Sequence, residues 1–150
     1  MKAAICYIII LLAAALAPVE RVDVGQMQPV EVIYICKDAD AVVLKTDTGD
    51  VGVGVDAETA LTDMKQTSAG VIYLDTAQYL VIGPGAQEDA MALKSVLRGS
   101  VQLCLAEENM DLKQLAKYLP AHGELPGFAQ WSKGENLLVL HKENDRIKLS

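Results

Sequence analysis

The sequence predicts a mixed α/β or α+β fold, with a mixed β-sheet and about three helices, preceded by an N-terminal apolar segment. Short runs rich in β-branched residues, such as "VEVIYIC" and "AVVLKT", are separated by polar turns and read as strands. Three longer segments repeat apolar residues at the helical period. The two kinds of segment alternate in the middle of the chain, and hairpins flank them, which together indicate one layered domain.

Length and composition limit the classes of function. A chain of 150 residues is long enough to bury one core without disulfides or metals. It has 20 Asp and Glu against 13 Lys and Arg, a net charge of −7, and no basic cluster, so we expect no nucleic-acid partner. The histidines and cysteines lack metal-ligand spacing, so we expect no metal and no cofactor. These residues are His122, His141, Cys6, Cys36 and Cys104.

An apolar segment at the N-terminus indicates the compartment. Residues 3 to 17 carry no charge and follow a single lysine. As a helix this segment would be about 22 Å long, shorter than the roughly 30 Å hydrocarbon layer of a membrane. That is the size of a signal-peptide core. We therefore expect residues 1 to 17 to be a signal peptide or a membrane anchor, and residues 20 to 150 to form one small exported or membrane-anchored domain.

The first half of this domain predicts three strands and a helix. The polar sequence "KDAD" joins the first two strands as a hairpin, and "DTGD" makes a second turn. Asp56 is a helix N-cap, and the helix that follows ends before Gly70. The strands are expected at 30 to 36, 41 to 46 and 51 to 55, and the helix at 57 to 68.

The second half predicts two further helices between strands. A helix over 87 to 98 is followed by Gly99, and a helix capped by Asp111 ends at Pro120. The sequences "LLVLH" and "RIKL" predict a closing hairpin around "KEND". The remaining strands are expected at 71 to 74, 79 to 82 and 101 to 106.

The tripeptide Asp47-Thr48-Gly49 matches the catalytic motif of aspartic proteases. Those enzymes need two carboxylates that share one proton, so a chain with one such motif would have to form a homodimer, as retroviral proteases do. Here Lys45 and Thr46 precede the aspartate, where retroviral proteases have apolar residues. Thr, Asp and Gly are also the residues that a tight turn prefers. We interpret the segment as a turn and keep a catalytic Asp47 as the alternative.

The next residues fit a loose form of the dinucleotide-binding loop. Gly52, Gly54 and Ala57 have the required spacing, and Asp75 follows at the distance of a ribose-binding carboxylate. However, a turn lies directly before Gly52 instead of a buried strand. Asp56 would also repel a pyrophosphate at the helix N-terminus. We therefore expect no nucleotide here.

Other catalytic groups show no constellation in the sequence. No G-x-S-x-G motif is present. His122 lies in a predicted loop and His141 ends a predicted strand, and we expect both to be surface histidines outside any polar cluster. Cys36 and Cys104 lie inside strand-like runs and are expected to be buried thiols, with a disulfide open to them if their strands are neighbours.

The segment from Gly54 to Glu107 resembles part of the N-terminal domain of the spore germinant-receptor C subunits, the Ger(x)C lipoproteins. It has a similar order of elements: a glycine, a helix, a strand, a second strand ending in Ile82-Gly83, a helix ending near Leu97-Arg98, and a strand of alternating apolar residues. With the segment before it, the likeness covers about residues 20 to 119. It implies an envelope location and a role in sporulation or germination. The lipidation cysteine of those proteins is absent after the apolar segment.

Phe128 and Trp131 are the candidate binding residues. They lie three residues apart in "LPGFAQWSKGEN", which we predict to be an irregular loop because it is rich in Gly, Pro and polar residues. Large aromatic residues in such loops either cover a small core or anchor another protein. We expect a non-catalytic envelope protein that binds another envelope or membrane protein, and that contacts the membrane through residues 3 to 17 if they are not cleaved.

Overall fold

The computed structural model describes residues 27 to 150. The predicted signal peptide or anchor, residues 1 to 17, lies outside the described residues. In the described part of the chain, no helix has the length and apolar character needed to cross a bilayer.

The described residues form a mixed α/β structure, which confirms the predicted fold class. In this part of the chain, four α-helices accompany nine strands, and several helices continue into a 3₁₀ turn. The strands are β1 (Met27–Pro29), β2 (Val32–Asp38), β3 (Ala41–Thr46), β4 (Val51–Gly54), β5 (Val71–Tyr73), β6 (Tyr79–Ile82), β7 (Gln102–Ala106), β8 (Val139–Glu143) and β9 (Arg146–Leu149). The helices are α1 (Ala57–Thr67), α2 (Gln87–Ala92), α3 (Leu112–Tyr118) and α4 (Phe128–Ser132).

Seven of the strands form one mixed sheet in the order β4-β3-β2-β6-β7-β8-β9. The four central strands, from β2 to β8, are parallel to one another, and antiparallel strands extend the sheet at both ends. β1 and β5 form a separate two-stranded parallel ladder. The parallel strands are nearly continuous runs of apolar residues because helices cover both of their faces.

Each face of the sheet has its own core. Helices α1, α2 and α4 cover one face, which we call the α1 face, where Ile33, Leu80 and Leu103 of the central strands are buried with Phe128. Helix α3 covers the other face, the α3 face. Its apolar side packs there on Tyr34, Val81, Cys104 and Leu140, through Leu112, Leu115 and Leu119.

The predicted local elements agree closely with the structure, although β1 was not predicted and two differences concern helices. The helix expected at 87 to 98 is α-helical over Gln87–Ala92 only and continues as a 3₁₀ turn over Leu93–Ser95. The predicted loop around Phe128 and Trp131 was wrong, because Phe128–Ser132 is a helix. The Gln130 side chain accepts a hydrogen bond from the Gly127 amide at 2.7 Å, which starts a helix where the composition indicated none.

The two cysteines of the described residues are free thiols. Cys36 lies on β2 and Cys104 on β7, and β6 separates those strands, so the condition for a disulfide is not met. Cys104 is fully buried, as expected, and Cys36 is partly buried. Burial raises the pKa of the Cys104 thiol to about 12. Burial, together with the neighbouring Cys36, raises the pKa of Tyr34 to about 12.

We expect the free energy of unfolding to fall as the pH rises from about 9 to about 12. The buried thiol of Cys104 and phenol of Tyr34 stay protonated in the folded protein, while the same groups ionise in the unfolded chain from their ordinary values of 9.0 and 10.0. The unfolded state then binds fewer protons, so alkali favours it. Urea unfolding at a series of pH values measures the slope. Cys104→Ala should make the fall shallower, and a free energy that stays level up to pH 12 would contradict the assignment.

Candidate functional site

Asp47 connects the second turn to the start of β2. Its Oδ1 atom accepts hydrogen bonds from the backbone amides of Glu31 at 3.0 Å and Val32 at 3.1 Å. The Asp47 amide in turn donates to the carbonyl oxygen of Val32 at 3.1 Å. Since Val32 is fully buried, the carboxylate satisfies a backbone donor that water cannot reach.

The rest of the Asp-Thr-Gly-Asp sequence also bonds within the turn. The Thr48 hydroxyl donates to Asp50 Oδ2 at 2.8 Å, and the buried Thr46 hydroxyl lies 2.7 Å from that of Thr48. Gly49 has a φ of +98°, a conformation that favours glycine. These residues therefore form a turn, as expected from the sequence.

The aspartates of the two motif matches are dispersed over the structure. Asp56 caps α1, and Asp75 lies exposed in the 3₁₀ turn after β5. Asp47 and Asp50 border a cavity of about 220 Å³ that also contacts Asp111. Between residues 27 and 150, no group of three or more His, Cys, Asp or Glu side chains is arranged to hold a metal ion.

The glycines of the loose dinucleotide motif serve helix packing. Gly52 and Gly54 lie on β4 and face α1. A Cβ atom on Gly52 would lie 2.6 Å from Met64 Cβ, and one on Gly54 would lie 2.7 Å from the Thr59 carbonyl carbon. Both distances are too short for real atoms, so the helix approaches the strand at a separation that only glycine permits.

The N-terminus of α1 is occupied by its own side chains. Asp56 Oδ1 accepts a hydrogen bond from the Thr59 amide at 2.8 Å, and the Thr59 hydroxyl bonds back to Asp56. These bonds to Thr59 hold the pKa of Asp56 below its usual value. A phosphate would need the same amide, so the carboxylate takes the place of the anion that such a helix end attracts.

The two aromatic candidates lie in and beside the core. Phe128 is buried on the α1 face, and Trp131 is partly buried against the same core. Their ring centroids are 6.4 Å apart. Phe128 therefore offers no surface for a partner, and a binding role for the exposed part of Trp131 stays a prediction.

Both histidines line one cavity of about 870 Å³, contrary to the expectation that they stand outside any polar cluster. His141 Nδ1 lies 2.9 Å from Glu107 Oε2, and the ring of His122 stacks on Tyr118 with centroids 3.8 Å apart. The other residues that line this cavity are Glu108, Lys142, Glu143, Lys148, Leu149 and Ser150.

This cavity lies at the carboxyl ends of parallel strands. Glu107 directly follows β7, and His141 lies on β8 one residue after the pair formed by Ala106 and Leu140. Glu107 also lines a second cavity of about 390 Å³ beside Gly83 and Pro84. There the chain leaves β6 toward the α1 face and leaves β7 toward the α3 face, and such a divergence is where open α/β sheets bind ligands.

The sequence contains both polar residues of this contact, but no local pattern shows that they meet. Glu107 and His141 are 34 residues apart, and only the parallel register of β7 and β8 brings them together. With Nδ1 bonded to a carboxylate, the imidazole has its Nε2 atom left for a ligand or a proton. The acidic and basic side chains that line the cavity suit a polar ligand group.

Comparisons with protein-family models, curated proteins and solved structures found no match for this chain.

We expect Gly52→Ala to destabilise the protein by about 1–3 kcal/mol, because the new methyl group would push α1 away from β4. Gly99→Ala is the matched control, since a Cβ atom there has no neighbour within 4 Å. Urea unfolding measures both variants. Equal stability of Gly52→Ala and wild type would show that the contact is not as close as described.

We expect Asp47→Ala to cost about 1–3 kcal/mol of stability, because it leaves the buried amide of Val32 without its acceptor. Asp47→Asn keeps an oxygen for one of the two amides and should cost less. Asp75→Ala, at an exposed aspartate, is the control. If the Asp47→Ala and Asp75→Ala proteins unfold at the same urea concentration, Asp47 has no structural role.

Proposed function

We propose that this protein is a non-catalytic interaction module of the cell envelope, exported or anchored through residues 3 to 17, which binds another envelope or membrane protein. The observation that carries this proposal is an exposed apolar strip on the β3–β4 hairpin. We call this strip the valine face. It consists of the exposed Val51 and Val53 of β4, the exposed Val55 that follows β4, and the partly exposed Val43 of β3.

The valine face lies on the side of the hairpin that α1 does not cover. Gly52 and Gly54 face α1, so the alternate residues of β4 face the opposite side. Val51 is 46% exposed, Val53 49% and Val55 77%, while Val43 pairs with Val53 across the ladder. A solvated strand face ordinarily carries polar residues, and a group of exposed apolar side chains favours an interaction surface.

The position of this face fits a partner at the membrane. Asp47 bonds to Glu31 and Val32, close to where the described chain begins, and Val51 starts the next strand. Residues 18 to 26 span at most about 30 Å when fully extended. An uncleaved anchor would therefore hold the valine face near the bilayer, within reach of membrane proteins.

The resemblance to the Ger(x)C proteins extends the proposal to sporulation or germination. The alternative, a homodimeric hydrolase that uses Asp47, has less support. Its carboxylate would have to release the amides of Glu31 and Val32 to act as an acid or a base. A protein-binding role makes no such demand on the turn.

Photo-crosslinking in the cells that make the protein tests this proposal. A photoreactive residue at Val53 should give adducts of one defined size in the envelope fraction, and the same residue at the exposed Gln66 of α1 should not. With the photoreactive residue at Val55, Val53→Asp should abolish the adduct without changing the unfolding midpoint. A protein found only in the cytoplasmic fraction, or equal adducts from Val53 and Gln66, would exclude the proposal.

A further inference from the structure

The two edges of the seven-stranded sheet differ in how their outward backbone groups are used. At one edge, α1 covers β4: the Asp63 carboxylate accepts a hydrogen bond from the Val53 amide at 2.9 Å, and the Thr67 hydroxyl donates to the Val51 carbonyl at 3.4 Å. Side chains of the helix thus occupy the positions that a further strand would need. Such covering is a common protection of sheet edges.

At the other edge, β9 has β8 as its one neighbour among residues 27 to 150. Val139 and Ser150 exchange two backbone hydrogen bonds, at 2.7 and 3.0 Å. Hydrogen-bonded pairs alternate along an antiparallel ladder, so the amides and carbonyls of Ile147 and Leu149 point away from β8. This edge therefore presents a row of backbone donors and acceptors in the spacing of a strand.

The apolar and the basic side chains of β9 lie on opposite faces of the sheet. Ile147 and Leu149 are partly buried against the α3-face core, while Arg146 and Lys148 are exposed on the α1 face. Lys148 pairs with Glu143, whereas no ion pair among residues 27 to 150 includes Arg146. In a chain of net charge −7, both charged side chains of β9 are basic, and Glu143 of β8 lies opposite Arg146.

One cavity lies beside the first half of β9 and another beside its second half. One of about 470 Å³ lies beside Ile147 and Arg146 and is lined by Gln114, Lys117 and Tyr118 of α3. The histidine cavity lies beside Lys148 and Leu149. In strand addition, backbone bonds supply affinity and pockets for alternate side chains supply specificity.

We propose that β9 is a strand-addition site for an extended protein segment in which acidic and apolar residues alternate. The acidic side chains face Arg146 and Lys148, and the apolar ones lie beside Ile147 and Leu149 next to α3. This goes beyond the proposed function, because β9 lies at the opposite edge of the sheet from the valine face and would give the module a second binding surface. A second copy of the chain is a poorer occupant. In the two registers that pair most of the strand, Lys148 would face Lys148 or Arg146 of the other copy, and like charges in that position repel.

Peptide binding to the full chain tests the site. A labelled eight-residue peptide of alternating Glu and Val should bind, and the corresponding peptide of alternating Lys and Val should bind at least tenfold more weakly. The Glu-Val peptide should also protect the amides of Ile147 and Leu149 from hydrogen exchange. The same peptide with N-methyl groups on alternate residues, in the two possible phases, should lose binding in one phase only.

Two variants of β9 and one control complete the test. Ile147→Pro removes an outward donor at an edge position that tolerates proline, and Arg146→Glu reverses the free charge, so each should weaken binding at least tenfold. Lys65→Glu makes the same charge change on exposed α1 and should leave binding unchanged. Undiminished binding to the folded Ile147→Pro and Arg146→Glu proteins would overturn the proposal, as would a dimer that Ile147→Pro dissociates.

The two proposals can fail separately. Crosslinks from Val53 with no peptide binding would reject this site alone, whereas peptide binding to a cytoplasmic protein would reject the envelope role alone.

Discussion

The close approach of α1 to β4 is the contact on which the arrangement of the fold depends. Gly52 and Gly54 remove the side chains that would separate helix from strand, so Ala60 and Met64 pack directly on the β4 backbone. In this position α1 covers Val42 and Leu44 of β3 and carries the chain from the β2–β4 meander to β6. The same closeness lets Asp63 and Thr67 reach the outward groups of β4, so one glycine-dependent contact both builds a core and closes a sheet edge.

Several carboxylates among residues 27 to 150 bind the protein's own backbone. Asp47, Asp56 and Asp63 each accept hydrogen bonds from main-chain amides, at the start of β2, at the first turn of α1 and at the edge of β4. Asp next to Gly or Thr is common in catalytic loops because such loops need defined backbone geometry. Turns and helix caps need the same geometry, which is why the two motif matches in this sequence describe structural positions.

Features that depend on residues close together in the chain could be predicted from the sequence, and features that depend on distant residues could not. The hairpin of β2 and β3, the cap of α1 by Asp56 and the turn at Asp47 depend on neighbouring residues, and each was correctly predicted. The contact between Glu107 and His141 depends on β7 and β8 being adjacent and in register across 34 residues. No local periodicity encodes that register, so the histidine cavity was missed. The helix at Phe128 was missed because its start rests on one side-chain bond from Gln130, which composition does not reveal.

The two edges of the sheet differ, so the molecule presents a different surface at each end of the sheet. The closed edge carries the valine face and lies near the point where the described chain begins, while the open edge β9 lies six strand positions away in the sheet order. The sheet separates the two surfaces, so a partner on one leaves the other accessible. The two basic side chains of β9 also complement the acidic segment proposed for that edge. The two proposed surfaces would place two partner proteins at opposite edges of one sheet, a task that needs no catalytic residue.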